Sequence, residues 1–163
     1  PFARFNCLSK AAAGEALQRC CGSTQWIDAM VYSHPFQTPQ KLYQLADSHW
    51  ATLPTHAILE AFSHHPRIGD MNALKAKFST QEWAEQAGAN GAAEEVLQEL
   101  AKYNQQYEEK FGYIFIVCAT GKTAQEMLQL LKERIHHSPE VELTVAAEEQ
   151  RKITHLRLEK LFV

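Results

Sequence analysis

His65 stands directly before Pro66 in the stretch SHHPRIGD, and Glu85 directly before Gln86 in EWAEQAGA. Histidine is the one side chain whose unperturbed charge change falls near neutral pH. Paired with a carboxylate it makes the common acid–base combination, and an adjacent amide can read the polar edge of a ring. Pro66 freezes the backbone beside His65, which puts the imidazole at a rigid helix-to-loop corner. On spacing alone these four residues also fit a capped helix end followed by a solvated acidic helix, and both readings stay open.

Other chemistry suggested by the sequence does not hold together. ATGKT (119–123) lacks a phosphate loop's first glycine, because Ile116 occupies that position. A turn followed by a Thr123 helix cap is the reading that remains. The eight histidines contain no HExxH, and the neighbours His64/His65 and His136/His137 point about 100° apart on a helix, so no metal site is expected. The four cysteines, at 7, 20, 21 and 118, fit neither a CxxC pair nor a zinc knuckle and read as reduced thiols.

A chain of 163 residues, 45% hydrophobic and 21% charged, is expected to form one domain (1–163) with a sizeable core. Its net charge of −3 argues for a small-molecule partner and against nucleic acid or an anionic membrane. No apolar run reaches the roughly 20 residues that span a bilayer. The opening Pro1-Phe2-Ala3-Arg4-Phe5 lacks the apolar core of a secretory signal, so the cytoplasm is the expected compartment.

The elements that must position these residues read almost entirely as helix. Ser9 caps a segment running through Cys21, with Gly22 as its stop. Ser23 or Thr24 opens a second segment, over by Pro35. Thr38-Pro39 is a cap with proline at the first helical position. Pro54 starts a helix that Pro66 ends near His64 or His65. Ser79-Thr80-Gln81-Glu82 has capping-box spacing and introduces the short helix carrying Glu85 and Gln86. Asn90 caps a helix to Lys110 that Gly112 ends, Thr123 opens another, and Ser138-Pro139 leads into the last, to about Leu161. These make an all-α, single-domain bundle of about eight helices. One segment differs: residues 113–119, YIFIVCA, are apolar and β-branched between two glycines and read as extended. A lone extended segment has no strand to pair with, so its peptide groups need another partner, and a ligand is one candidate.

SHHPRIGD, EWAEQAGA, KFGYIFIVCATG and KITHLRLEKL, in that order and spacing, resemble the 2-oxo-4-hydroxy-4-carboxy-5-ureidoimidazoline (OHCU) decarboxylases of urate breakdown. The resemblance runs from about Phe5 to Leu161. It implies an all-helical homodimer needing neither metal nor organic cofactor. It also implies that His65 is the catalytic proton donor and Glu85 the catalytic carboxylate. Pro66 and Gln86 would contact the substrate. The backbone of Phe115, Ile116, Val117, Cys118 and Ala119 would line its ring, and Arg157 would face its anionic end. Many members have a serine three residues before the glutamate of the EQ pair. Here Glu82 stands there, serving the capping box or adding a second carboxylate to the site.

In OHCU the carbon that loses CO2 neighbours a ring C=N bond, so the substrate carries its own electron sink. The expected activity is therefore cofactor-free decarboxylation to (S)-allantoin. Two alternatives remain: a helical adaptor docking a partner peptide on 113–119, or an enzyme of the same fold acting on another ureido-imidazole acid.

Overall fold

Helix caps set the frame. The Ser9 side chain accepts from the Ala12 amide (3.1 Å) and opens α2 (Lys10–Gln18). Thr38 accepts from the Lys41 amide (3.0 Å) and opens α4 (Pro39–Ala51), with Pro39 in its first turn. Thr123 accepts from the Glu126 amide (3.1 Å) at the head of α7 (Ala124–Arg134), as its place after the Gly121 turn predicts. The structure, a computed structural model, describes residues 1–66 and 92–162. The expectations placed on Glu82, Glu85, Gln86 and the Asn90 cap lie outside the described residues. The remaining helices are α1 (Phe2–Asn6), α3 (Thr24–Ser33), α5 (Thr55–Ser63), α6 (Ala92–Phe111) and α8 (Pro139–Lys160). Eight helices and no strand are thus present among the described residues, and the fold is all-α.

Three local features differ from the sequence reading. Helix α1 is five residues long, too short for a periodicity to announce it. It forms because Phe5 is buried against the rings of His34 (5.3 Å), Phe162 (5.7 Å) and Phe36 (6.2 Å). Helix α2 ends at Gln18 and not at Cys21, because the Cys20 and Cys21 amides both turn in on the Leu17 carbonyl (2.9 and 3.0 Å). Gly22 is not a left-handed stop; a Cβ there would lie 2.6 Å from His64 Cβ and 2.7 Å from its Cδ2, so the position is glycine because a ring occupies the space.

The third difference concerns α3. Ser23 precedes it but makes no side-chain cap. The Glu60 carboxylate of α5 does that work, accepting from the Thr24 amide (2.6 Å) and the Thr24 hydroxyl (2.9 Å). A carboxylate also suits the positive end of the helix dipole.

Two compact units make up the chain, Pro1–His65 with Ala147–Val163, and Pro66–Ala146. In the first, Leu17, Trp26, Met30, Leu42, Phe62 and Leu158 are fully buried. Its two core indoles satisfy their N–H groups on backbone carbonyls, Trp26 on Ala46 and Trp50 on Ala147 (both 3.0 Å). In the second, α6 and α7 pack through Leu97, Leu100, Tyr107, Met127, Leu128 and Leu131. Gly112, just past α6, and Gly121, in the turn before α7, have φ of +82° and +77°. Glycine alone adopts that backbone without strain. Among the described residues no helix is long and apolar enough to cross a membrane.

Candidate active site

His65 sits where α5 runs out. The His64 amide bonds the Ala61 carbonyl and the His65 amide the Phe62 carbonyl (both 3.2 Å), closing the last turn, and Pro66 has no N–H to extend it. The two histidines are then used differently. The ring of His64 fills the space over Gly22. The ring of half-buried His65 brings Nε2 to 2.5 Å from the Gln150 side-chain carbonyl on α8. Gln150 is fully buried, and its amide nitrogen donates to the Thr154 hydroxyl (3.0 Å). Thr154 in turn faces the Cys21 thiol.

Arg157 lies seven residues beyond Gln150 on α8, two turns along the same face and about 10 Å on. It is half-buried, and its charge is felt at Cys20 and Cys21. Burial pushes the Cys20 thiol up to about 12 and the Cys21 thiol up to about 11, and the pull of Arg157 in the other direction does not offset it. Both thiols therefore stay protonated near neutral pH, which removes them as nucleophiles. None of the four cysteines is in a disulfide.

The 113–119 segment belongs to the other unit. It runs between α6 and α7 as neither helix nor strand, with Ile116 buried and Phe115, Val117, Cys118 and Ala119 half-buried. Two of its carbonyls have side-chain donors. Arg134 Nη1 reaches the Ile116 carbonyl (2.7 Å), and Lys122 Nζ the Cys118 carbonyl (2.9 Å). Carbonyls two residues apart share one edge of an extended backbone. The protein thus holds that edge from behind, which leaves the peptide groups of Phe115 and Val117 to the opposite edge.

The Arg134 anchor is itself clamped. Nε and Nη2 of the guanidinium meet the Glu142 carboxylate at 2.8–3.0 Å, and the Tyr107 hydroxyl donates to the same carboxylate (2.7 Å). The guanidinium carbon lies 4.5 Å from the centre of the Phe115 ring. Burial works against the Arg134 charge, but the Glu142 bonds outweigh it and the proton is held more tightly than usual. Burial and the bond to Glu142 likewise raise the Tyr107 hydroxyl far above its ordinary range.

Of the residues singled out by sequence, His65 and Arg157 fall in the first unit, and Pro66 and Phe115 to Ala119 in the second. Pro66 is exposed and is the first residue of the second unit. Gln150, Thr154 and Arg134 went unread. The signal for Gln150 was present: Glu142, Ala146, Gln150, Thr154 and Leu158 recur every four residues on α8 and are all buried. A polar residue on the inward stripe of a helix asks for a partner.

The profile of the OHCU decarboxylase family matches residues 6–159. The chain is 42% identical over 146 residues to the uric acid degradation bifunctional protein TTL of Arabidopsis thaliana, covering 88% of this chain and 45% of that protein. It is 26% identical over 151 residues to the OHCU decarboxylase of Amia calva, covering 91% and 84%. The chain spans less than half the length of the bifunctional relatives it matches. In structure it is similar to an OHCU decarboxylase crystallised in the presence of (S)-allantoin, with TM-score 0.71 and 44% identity over 89% of this chain and 95% of that one. The fold is also that of an (S)-allantoin synthase, TM-score 0.72 at 21% identity, over 98% of this chain and 53% of that one. A match over this much of its length places the chain in the OHCU decarboxylase family.

Proposed function

We propose that residues 1–163 act as one catalytic domain that decarboxylates OHCU to (S)-allantoin in urate breakdown, without a cofactor. The observation that carries this is the 44% identity, over 95% of its length, to an OHCU decarboxylase crystallised with (S)-allantoin. The arrangement around His65 supports it: an imidazole anchored on one nitrogen at a rigid helix end, with a half-buried arginine two turns along the facing helix.

Loss of CO2 from the carboxylate leaves an electron pair on the ring carbon that bears the hydroxyl. That pair enters the adjacent C=N bond, and the imine nitrogen takes up a proton. The hydroxyl then gives up its proton as the ketone forms, and the carbon bearing the ureido group gains one. The net change is carboxylate plus one proton to C–H plus CO2. His65 supplies that proton to one face, which sets the (S) configuration, and Glu85 handles the hydroxyl proton. Arg157 holds the anionic end, where a guanidinium can bind a carboxylate by two parallel bonds. Gln86 and the backbone of 115–119 read the ring and ureido amides, with Pro66 shaping the wall and Glu82 beside them. The active form is a homodimer in the cytoplasm.

The test is the ultraviolet decay of freshly generated OHCU with and without the protein, followed by circular dichroism of the product. Acceleration over spontaneous decay with (S)-allantoin as product supports the assignment. Decay at the spontaneous rate overturns it, and would turn attention to a partner peptide or another ureido-imidazole acid.

A further inference from the structure

We propose that Gln150 is the positioning residue of His65: its side-chain carbonyl takes the Nε2–H and so fixes the tautomer and plane of the ring. The proposal rests on the reading of His65 as the proton donor and deepens it. Nε2 and the Gln150 Oε1 atom are 2.5 Å apart, a short contact that fixes the plane and depth of the ring. Gln150 is 0% exposed, so water cannot substitute for a missing partner.

The direction of the amide follows from what lies behind it. Gln150 Nε2 donates to Thr154 Oγ1 at 3.0 Å, and Oε1 is the amide atom that faces His65 Nε2. The NH2 group thus points at Thr154 and the carbonyl at His65. The reverse orientation would set NH2 against the ring. It could serve a neutral imidazole whose Nε2 is a bare acceptor, but it would oppose the imidazolium, in which both nitrogens carry protons. A carbonyl accepts from Nε2–H in both charge states. Only that orientation serves a histidine that must hold and then release a proton.

The choice of an amide also matters. A carboxylate in this place would favour the imidazolium and hold its proton too tightly to release near neutral pH. The ionisable groups that neighbouring elements bring to this end of the unit are Cys20 and Cys21, which stay protonated, Arg157 on α8, and Glu60 with His64 on α5 itself. Gln150 accordingly sets the tautomer while adding no charge of its own.

The experiment is two-bond 1H–15N correlation of His65 in the full chain, with His65→Asn used to assign the signal. The wild type is expected to carry its neutral-state proton on Nε2. In Gln150→Glu the ring should titrate at a pH higher by about one unit or more, and the acid limb of kcat/KM should move with it. In Gln150→Leu, kcat should fall about ten- to a hundredfold with KM within about twofold, the effect of leaving a ring donor unpaired. A merely structural glutamine would move neither the tautomer nor the pH midpoint. A wild-type ring protonated on Nδ1, which needs no variant to fold, overturns the proposal, as does an unchanged midpoint in Gln150→Glu. If His65→Asn stays fully active while the tautomer is as expected, the role given to His65 fails and the hydrogen bond stands. If His65→Asn is inactive but the tautomer is wrong, only the role of Gln150 fails.

Discussion

The two units each bury a polar cluster, and the clusters are built from opposite chemistry. In Pro66–Ala146 it is ionic: Arg134, Glu142 and Tyr107, with the Ile116 carbonyl and the His137 ring also meeting it. In the other unit it is made of groups with no fixed charge: His65, Gln150, Thr154 and Cys21. A buried ion pair must have every donor and acceptor matched or desolvation outweighs the attraction. Once matched, it fixes a backbone in one place. A chain without fixed charge holds less tightly but lets a proton come and go without leaving a bare charge behind. The ionic cluster is thus suited to hold a wall and the other to serve a group that reacts.

That contrast predicts effects of different kinds. The largest falls on activity. His65→Asn removes the acid–base group and should lower kcat/KM by roughly 10²–10⁴. Its stability should fall by about 1–3 kcal/mol, because the buried Gln150 carbonyl loses its partner. His64→Asn should keep nearly all activity. An inactive His64 variant beside an active His65 variant would mean that the wrong histidine has been assigned.

Next comes stability in the ionic cluster. Glu142→Ala leaves Arg134 buried and unmatched, and should cost about 3–5 kcal/mol. Replacing both partners, Arg134→Met with Glu142→Leu, removes the stranded charge but leaves the Ile116 carbonyl and the Tyr107 hydroxyl without partners, so a deficit of about 1–3 kcal/mol should persist. Urea unfolding of the single and double variants measures both. Full recovery in the double variant would show that the cluster is not what holds the 113–119 backbone.

A smaller effect is expected at Gly22. A methyl group there meets the His64 ring at sub-contact distance, so Gly22→Ala must push the end of α5 aside. Overpacking of this kind costs about 1–3 kcal/mol. Because His65 is the next residue, part of the loss should appear in kcat as well. A variant with wild-type kcat and a lowered urea midpoint would separate the seat of His64 from that of His65.

What could be read from the sequence divides along the range of the interactions. Ser9, Thr38 and Thr123 cap through an amide three residues on, and such caps are legible because both partners lie in one short stretch. The roles proposed for His65 and Arg157 rest on family motifs. Gln150 was harder to read: its place on the inward stripe of α8 is local, but its partner stands 85 positions away. Arg134 went unread, since nothing local says that Ile116 and Glu142 would meet it. Gly22 was recognised as a break but for the wrong cause, because the ring that excludes a side chain comes from a distant helix end.

Glu60 tests the smallest and most local version of the contrast, a charge at the surface that does an N-cap's work. Its carboxylate replaces the cap that Ser23 does not make, and the bonds from the Thr24 amide and hydroxyl hold its pKa below the ordinary 4.5. A carboxyl whose folded-state pKa is depressed lends stability above its unfolded pKa and loses it as pH falls through the folded one. Losing a helix cap costs about 1 kcal/mol, so Glu60→Ala should lower the urea midpoint by that much near neutral pH. The deficit relative to wild type should shrink as pH drops through the carboxylate range, because protonation removes from the wild type what the substitution removes outright. Urea unfolding of both proteins at about pH 7 and about pH 4 shows this directly. A deficit that stays constant with pH would mean that Glu60 contributes through packing and not through its charge at the head of α3.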